Sequence, residues 1–181
     1  MNILILNGSP EGNVLNDKLD RLKALLEKEG HTPRELLLRD MSYSPCRGCF
    51  SCWVKNPGKC IFKNDGDKLC QEVITSDMIV MAAPLIMGYP SGLLKNALDR
   101  IIPLIHPYLE AIDNEAHHMK RYEAYPAWGL LMEKEEDTDD EDLAIVNEIF
   151  SRAAINLRST MKFITATDTP FEEVIHAINR D

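Results

Sequence analysis

Short apolar runs alternate with amphipathic segments along the chain, and the two patterns predict strands and helices in alternation. Residues 78–82 are apolar at every position, as in a strand that is buried on both faces of a parallel sheet. The alternation favours an α/β fold, a doubly wound parallel sheet with helices on both faces. The five predicted strands are residues 2–6, 35–38, 78–82, 127–132 and 162–165.

The helices are predicted from apolar spacing and from residues that cap helix ends. Four leucines between residues 19 and 26 lie on one face of a helix for which Asn16 is a good N-cap and Gly30 a stop. Ser91 is the predicted cap of a helix that Pro103 limits. The other helices are expected at about 67–74, 141–157 and 170–179. Since no repeats or low-complexity linkers interrupt this pattern, residues 1–181 are expected to form one domain.

The charge distribution narrows the classes of partner. The chain carries a net charge of −9, and the absence of a basic stripe argues against nucleic acid. Residues 133–142 hold eight carboxylates and one lysine, so this segment alone contributes −7. We interpret it as a solvated loop that leads into a helix whose first turn favours carboxylates. An acidic docking surface for a partner is the alternative.

The apolar runs also indicate in which cellular compartment the protein is expected. Residues 1–10 lack a basic segment ahead of an apolar core, so a signal peptide is not expected there. The longest apolar run, residues 78–87, is interrupted by Pro84 and is too short to span a bilayer. We therefore expect a cytoplasmic protein with no membrane partner.

Four cysteines, separated by two, two and seven residues, lie in a loop at about residues 42–66. In a reducing compartment such a cluster indicates metal binding or redox chemistry rather than disulfides. The spacing favours a [4Fe–4S] cluster over zinc, whose structural sites more often pair two separated C-x2-C motifs. Thiols without metal are the third alternative. Cys70 lies in an amphipathic stretch and is predicted to be a buried structural thiol. The predicted metal ligands are Cys46, Cys49, Cys52 and Cys60.

Two loops follow strands at the sheet edge where doubly wound folds bind ligands. Residues 7–16 combine glycines, a hydroxyl and amides before a helix, which suits a phosphate, although the sequence is also typical of a turn. The loop lacks G-x-G-x-x-G and the Walker pattern. Residues 84–91 are apolar and rich in Gly and Pro, which suits a flat heteroaromatic ring or packing against a helix or second subunit. No G-x-S-x-G motif supports a hydrolase.

These segments together resemble the flavodoxin-like family of NAD(P)H-dependent FMN reductases, and within it the iron–sulfur flavoprotein branch. The resemblance is carried by N-G-S-P at 7–10, the cysteine loop at 46–60, A-P-L-I-M-G-Y-P-S-G-L-L-K-N-A-L-D-R at 83–100 and H-H-M-K-R-Y-E-A-Y-P at 117–126. It implies a flavodoxin-like five-stranded sheet, non-covalent FMN, a reduced nicotinamide as donor and a homodimer or homotetramer.

The resemblance also assigns residues to the cofactors. The FMN phosphate would be held by Ser9, Pro10, Asn13 and Asn16, and the four cysteines would ligate a [4Fe–4S] cluster. The isoalloxazine ring would be lined by Pro84, Leu85, Ile86, Met87, Gly88 and Tyr89.

One departure from the family pattern predicts weaker FMN binding. Glu11 stands where the family commonly has arginine, and Val14 or Asn16 stands where it has a hydroxyl residue. A carboxylate repels a phosphate, and a lost charge-assisted hydrogen bond is worth roughly 1.5–3 kcal/mol.

The expected function is an FMN-dependent oxidoreductase that moves electrons from NAD(P)H through FMN, with or without the cluster, to an unknown acceptor. The alternatives are a non-enzymatic flavin or metal carrier or redox sensor, and a zinc-stabilised interaction protein on a degenerate flavodoxin scaffold. His117 and His118, together with Arg121 and Tyr122, either approach the flavin or the nicotinamide or belong to a core or interface segment. Lys95 and Asp99 are expected to form an exposed pair, with Arg100 as a helix-end cation.

Overall fold

Five parallel strands form the central sheet in the computed structural model, which describes residues 1–180. The strands of the chain are β1 (Asn2–Asn7), β2 (Thr32–Leu37), β3 (Met78–Ile86), β4 (Tyr89–Pro90), β5 (Ile105–Ile112), β6 (Glu115–Lys120), β7 (Ala127–Glu133) and β8 (Met161–Ala166). The helices are α1 (Leu15–Lys28), α2 (Ser51–Val54), α3 (Asp65–Ile74), α4 (Gly92–Arg100), α5 (Asp140–Asn156) and α6 (Phe171–Asn179). The parallel strands follow the order β2-β1-β3-β7-β8, which is that of flavodoxin-like folds. The predicted fold class is therefore confirmed.

Helices cover both faces of this sheet, and each face has its own apolar core. On one face, α1 and α6 pack against β1 and β3, with Leu19, Leu22 and Leu26 fully buried. On the other face, α3, α4 and α5 pack around Trp128 and Phe150. This layering matches the doubly wound arrangement expected from the alternating pattern.

The boundaries differ from the prediction at two functionally relevant places. β3 continues to Ile86, where the short β4 pairs with it antiparallel and adds a sixth strand to the sheet. α1 begins at Leu15 with Val14 at the cap position, so the prediction of Asn16 as N-cap is wrong. The Asn13 side chain instead accepts a hydrogen bond from the Leu15 N–H at 2.9 Å, and Asn16 lies inside the first turn.

The antiparallel hairpin β5–β6 lies outside the main sheet and was not predicted. Its turn consists of Asp113 and Asn114, which both adopt left-handed backbone angles, with φ of 49° and 66°. Asp and Asn tolerate this conformation better than most residues, and it suits a two-residue hairpin turn. Among residues 1–180, no helix is both long and apolar enough to cross a membrane.

Candidate functional site

The two predicted ligand loops lie side by side at the carboxyl ends of β1 and β3. The Gly8 N–H donates to the Ala82 carbonyl at 2.7 Å, and the Ser91 hydroxyl donates to the Gly8 carbonyl at 2.5 Å. A Cβ at Gly8 would lie 3.0 Å from both the Leu94 Cβ and the Ser91 Oγ, so a glycine permits this close approach. Because β1 is flanked by β2 and β3, this edge is the point where strand order reverses and ligands bind in such folds.

The polar side chains of the first loop hold the loop itself. Ser9 is buried, and its hydroxyl lies 2.6 Å from Asn7 Oδ1 and 3.0 Å from Asn16 Oδ1. Its N–H also bonds Asn7 Oδ1, at 2.9 Å. The Asn16 amide donates to the Asn13 carbonyl at 2.8 Å. In this conformation the donors of Ser9 are already engaged, whereas Pro10 is exposed.

Backbone donors of the same loop are available to an anion. The N–H groups of Glu11, Gly12 and Val14 have no hydrogen-bond acceptor among residues 1–180. A Cβ at Gly12 would meet nothing within 4 Å, so this part of the loop is open. Arg39, which follows β2, donates to the Ser9 carbonyl and to Asn16 Oδ1, both at 3.2 Å. The loop therefore offers three free N–H groups with a guanidinium beside it.

Sequence reasoning missed Arg39 because it belongs to no loop motif. The sequence did place Arg39 just after a predicted strand. Because the carboxyl ends of parallel strands share one edge of the sheet, this position could have indicated that Arg39 lies near the first loop. The guanidinium supplies a positive charge near the loop, where Glu11 replaces the arginine expected at that position. Glu11 itself is exposed.

The second loop is a tight β-hairpin. Met87 and Gly88 form its turn between the paired residues Ile86 and Tyr89, and both turn residues have positive φ, 54° and 73°. Pro84 and Leu85 are both buried, and the Pro84 carbonyl accepts from the Ser91 N–H at 3.0 Å, so neither residue presents an exposed surface in this conformation. Ile86 and Met87 are 50% and 94% exposed, which leaves an apolar surface at the sheet edge.

Acidic residues border this hairpin. The Gly88 N–H donates to Glu135 Oε2 at 3.4 Å. Asp139 caps α5 and forms a capping box with Asp142, which confirms that these carboxylates belong to the first turn of a helix. Glu133 is not free, because Lys18 Nζ lies 2.6 Å from its carboxylate.

The four cysteines of the predicted metal site line one cavity of about 50 Å³. All of them are free thiols, with Cys46 and Cys49 exposed and Cys52 and Cys60 partly buried. Burial, with the other thiols nearby, raises the pKa of Cys52, whereas hydrogen bonds from Ser51 lower the pKa of Cys49. Among residues 1–180, no three ligating side chains are close enough to hold a single metal ion.

Cys70 lies outside this cavity lining and packs against the core beneath α4, as predicted for a structural thiol. Its Sγ is 3.4 Å from the Arg100 carbonyl oxygen. Burial raises the pKa of Cys70 to about 12, so the thiol stays protonated at neutral pH.

The ionic residues at the end of α4 divide into one exposed pair and one buried cation. Lys95 and Asp99 form the predicted surface pair at 2.6 Å. Arg100 is the basic residue in the last turn of α4, as predicted, but it is only 4% exposed. Its guanidinium turns towards the cysteine loop, where it donates to Cys60 Sγ at 3.3 Å and to Asn64 Oδ1 at 2.9 Å.

Comparison with known proteins identifies the family. Residues 1–122, more than half of the chain, match the family described as NADPH-dependent FMN reductase. The chain belongs to this family.

Solved structures share the fold of this FMN reductase family member at low sequence identity. An NAD(P)H:quinone oxidoreductase from Methanothermobacter marburgensis has a TM-score of 0.64 and 15% identity, and the match covers 98% of this chain and 95% of that one. An FMN-dependent NADH-azoreductase from Bacillus anthracis, solved in complex with FMN, has a TM-score of 0.62 and 13% identity, with 97% and 93% covered.

Curated relatives carry the name iron–sulfur flavoprotein. The protein from Methanocaldococcus jannaschii is 34% identical over 106 residues, which are 58% of this chain and 53% of that protein. One from Archaeoglobus fulgidus is 31% identical over 100 residues, 55% and 48% of the two chains. The chain thus spans about half the length of the curated relatives it matches. These matches confirm the similarity to the iron–sulfur flavoprotein branch.

His117 and His118 lie on β6 of this FMN reductase fold. They contact the cysteine loop and the β5–β6 hairpin, not the β3–β4 hairpin. The His118 ring lies 4.9 Å from the Trp53 ring, and its Nδ1 is 2.7 Å from the His106 carbonyl. His117 is buried beside Glu115, with 3.3 Å between the ring nitrogen and the carboxylate. Their observed contacts are therefore those of packing residues.

Proposed function

We propose that the protein is an FMN-dependent oxidoreductase that takes electrons from NAD(P)H and passes them to an acceptor. The observation that carries the proposal is the open sheet edge at β1 and β3, where free backbone donors stand beside an exposed apolar hairpin. When bound, FMN supplies the hydride and electron chemistry, and the protein supplies binding and orientation.

The phosphate end of FMN would lie against residues 9–16. The free N–H groups of Glu11, Gly12 and Val14 are suitable donors for a phosphate, and Arg39 adds positive charge. Because the Ser9 hydroxyl bonds Asn7 and Asn16, it supports the loop and would have to reorient to reach the phosphate.

The ring end of FMN would lie against the β3–β4 hairpin. Ile86 and Met87 offer apolar side chains to a flat ring, while the backbone of the exposed turn at residues 87–88 can bond its polar edge. Carboxylates of residues 133–142 border this side. These carboxylates do not attract the phosphates of a nicotinamide dinucleotide, so NAD(P)H would have to be held by other contacts.

We also propose that Cys46, Cys49, Cys52 and Cys60 hold a [4Fe–4S] cluster. Thiolates are the ligands that such clusters use, and all four line one cavity. The x2 spacing of Cys46, Cys49 and Cys52, followed by a fourth thiol, supports the cluster over zinc, whose structural sites more often pair two separated C-x2-C motifs.

Helix α4 connects the proposed flavin and cluster sites. Its N-cap residue, Ser91, donates to the Gly8 carbonyl, and its last residue, Arg100, donates to Cys60 Sγ. Nine helical residues rise about 13 Å, which gives the length of protein between the two sites along this helix. Electrons from the flavin would leave through the cluster to an acceptor, and the working form would be a homodimer or homotetramer in a reducing, cytoplasmic compartment.

Spectroscopy of the anaerobically purified protein tests the proposal. We expect flavin absorbance after addition of FMN, a broad iron–sulfur shoulder, about four irons per chain and sustained NAD(P)H oxidation with an added acceptor. A bound flavin that never turns over would indicate a carrier. Zinc without any flavin binding would indicate an interaction protein and contradict the proposal.

The contribution of Arg39 is tested by comparing two flavins. Replacing Arg39 with glutamine is expected to weaken FMN binding about tenfold, or about 1.4 kcal/mol, because a positive charge beside the phosphate is lost. Riboflavin, which has no phosphate, should bind equally to both proteins. Fluorescence titration measures both affinities. Arg34→Gln, which removes a cation that pairs with Glu72 on the surface, is the matched control. An equal loss for both flavins would show that Arg39 only supports the loop.

A further inference from the structure

Arg100 is a buried cation without a counter-charge. It is 4% exposed, and no carboxylate among residues 1–180 lies within ion-pair distance of it. The nearby carboxylates are engaged elsewhere, with Asp99 on Lys95, Asp67 on Lys63 and Asp65 on the Ser42 N–H. A buried charge is costly unless an opposite charge or strong hydrogen bonds compensate it.

The groups that face Arg100 are neutral side chains and one thiol of the cysteine cavity. Its guanidinium donates to Asn64 Oδ1 at 2.9 Å and to Cys60 Sγ at 3.3 Å, and it lies 5.9 Å from the Tyr43 ring centre. Its Nε has no partner. Both Arg100 and Cys60 line the cavity that the four cysteines share. An anionic group bound in that cavity would therefore lie beside the Arg100 guanidinium.

The fold keeps a space for this guanidinium. A Cβ at Gly66, in the first turn of α3, would lie 2.9 Å from Arg100 Nε and 3.0 Å from Cζ, so no larger residue fits there without moving the arginine. Asn64, which bonds Arg100, also caps α3 by accepting from the Gly66 N–H at 3.1 Å. Two positions at the start of α3 are thus adapted to Arg100.

We propose that Arg100 is the buried counter-charge of the four-cysteine site, beside the exposed Arg47, and that it favours the reduced state of the cluster bound there. The inference rests on the [4Fe–4S] cluster proposed above. Reduction adds one electron, and hence one negative charge, to a thiolate-ligated cluster that is already anionic. A fixed cation beside Cys60 stabilises the more negative state more strongly, so it raises the reduction potential. Arg100 is a positioning residue, since it touches a ligand and not the iron.

The test is a redox titration of the anaerobically reconstituted protein with dithionite, followed by the EPR signal of the reduced cluster. Arg100→Gln removes the charge, and Asn64→Asp places a carboxylate on the guanidinium while keeping side-chain shape and helix cap. Both are expected to disfavour reduction by about tenfold, a shift of about 59 mV to more negative potential for one electron. Both should also lose iron faster to a chelator.

Two further variants test whether the buried charge at position 100 is the cause of the shift. Arg100→Lys keeps the cation and should stay near the wild-type potential. Lys95→Gln removes a positive charge from the same helix at an exposed position, where solvent screens it, and should leave the potential unchanged.

The results distinguish a failure of the proposed cluster from a failure of the role proposed for Arg100. A wild-type protein that binds no iron after reconstitution would overturn the cluster and with it this role. A wild-type cluster whose potential is the same in Arg100→Gln and Asn64→Asp would overturn the inference about Arg100 alone. If Arg100→Gln does not fold, Asn64→Asp decides, because aspartate preserves the cap.

Discussion

Replacement of Cys52 by serine is expected to abolish the iron–sulfur cluster, with iron falling from about four per chain to below one. Cys52 is the partly buried member of the x2-spaced triplet, and its pKa responds to the thiols of Cys46, Cys49 and Cys60, which places it among them. A serine hydroxyl is a poor substitute because soft thiolates are the ligands that iron–sulfur clusters prefer. Iron and acid-labile sulfide per chain, together with visible absorbance, measure the result.

Cys70→Ser is the matched control for this experiment. Cys70 packs against the core and its pKa is raised to about 12, so it is a protonated thiol at neutral pH and not a ligand. The variant should retain the wild-type iron content. Equal iron loss in both variants would point to a general effect of cysteine loss on folding. Full iron retention in Cys52→Ser would exclude that residue as a ligand.

The sheet could be predicted from the sequence because its signals are local. Residues 78–82 are apolar at every position, and in the structure they are buried between β1 and β7. The same pattern did not reveal that β3 continues through Pro84 to Ile86, because its pairing partner is the short β4 beyond the turn. Boundaries of this kind depend on tertiary pairing more than on residue type.

Arg100 could not be placed from the sequence. In the sequence it follows an exposed i,i+4 pair, and this pattern is typical of a solvent-facing helix end. Its burial depends on Gly66 and Asn64, which come from another helix more than thirty residues earlier. The hairpin β5–β6 could have been suspected from its Asp113-Asn114 turn, since Asp and Asn tolerate the left-handed backbone of a two-residue hairpin turn.

The phosphate loop shows why residue type alone did not define the candidate site. Ser9, Asn13 and Asn16 have the polar groups that a phosphate requires, yet these groups bond one another and the start of α1. The free donors are backbone N–H groups, which every residue except proline carries and which no motif displays. A side chain from the next strand end, Arg39, brings the charge that position 11 lacks.

A second large effect, on stability, is expected for replacement of Gly129. This residue lies in β7, next to β3 in the sheet. A Cβ there would overlap the ring of Phe163 on β8, lying 2.8 Å from Cδ1 and closer still to Cε1 and Cζ. Gly129→Ala is therefore expected to destabilise the protein by about 1–3 kcal/mol through overpacking. For a chain of this length the melting temperature should fall by roughly 2–12 °C. Calorimetry or thermal circular dichroism measures the shift.

Two further variants identify the overlap as the cause. Gly92→Ala adds the same methyl group where nothing lies within 4 Å, so its melting temperature should stay near the wild-type value. In Gly129→Ala combined with Phe163→Leu the smaller side chain makes room, and the double variant should lose less stability than the two single changes added together. Strict additivity would mean that the aromatic ring is not the obstacle. In that case the cost would come from the backbone of β7 itself, and the glycine would not be needed to make room for the Phe163 ring.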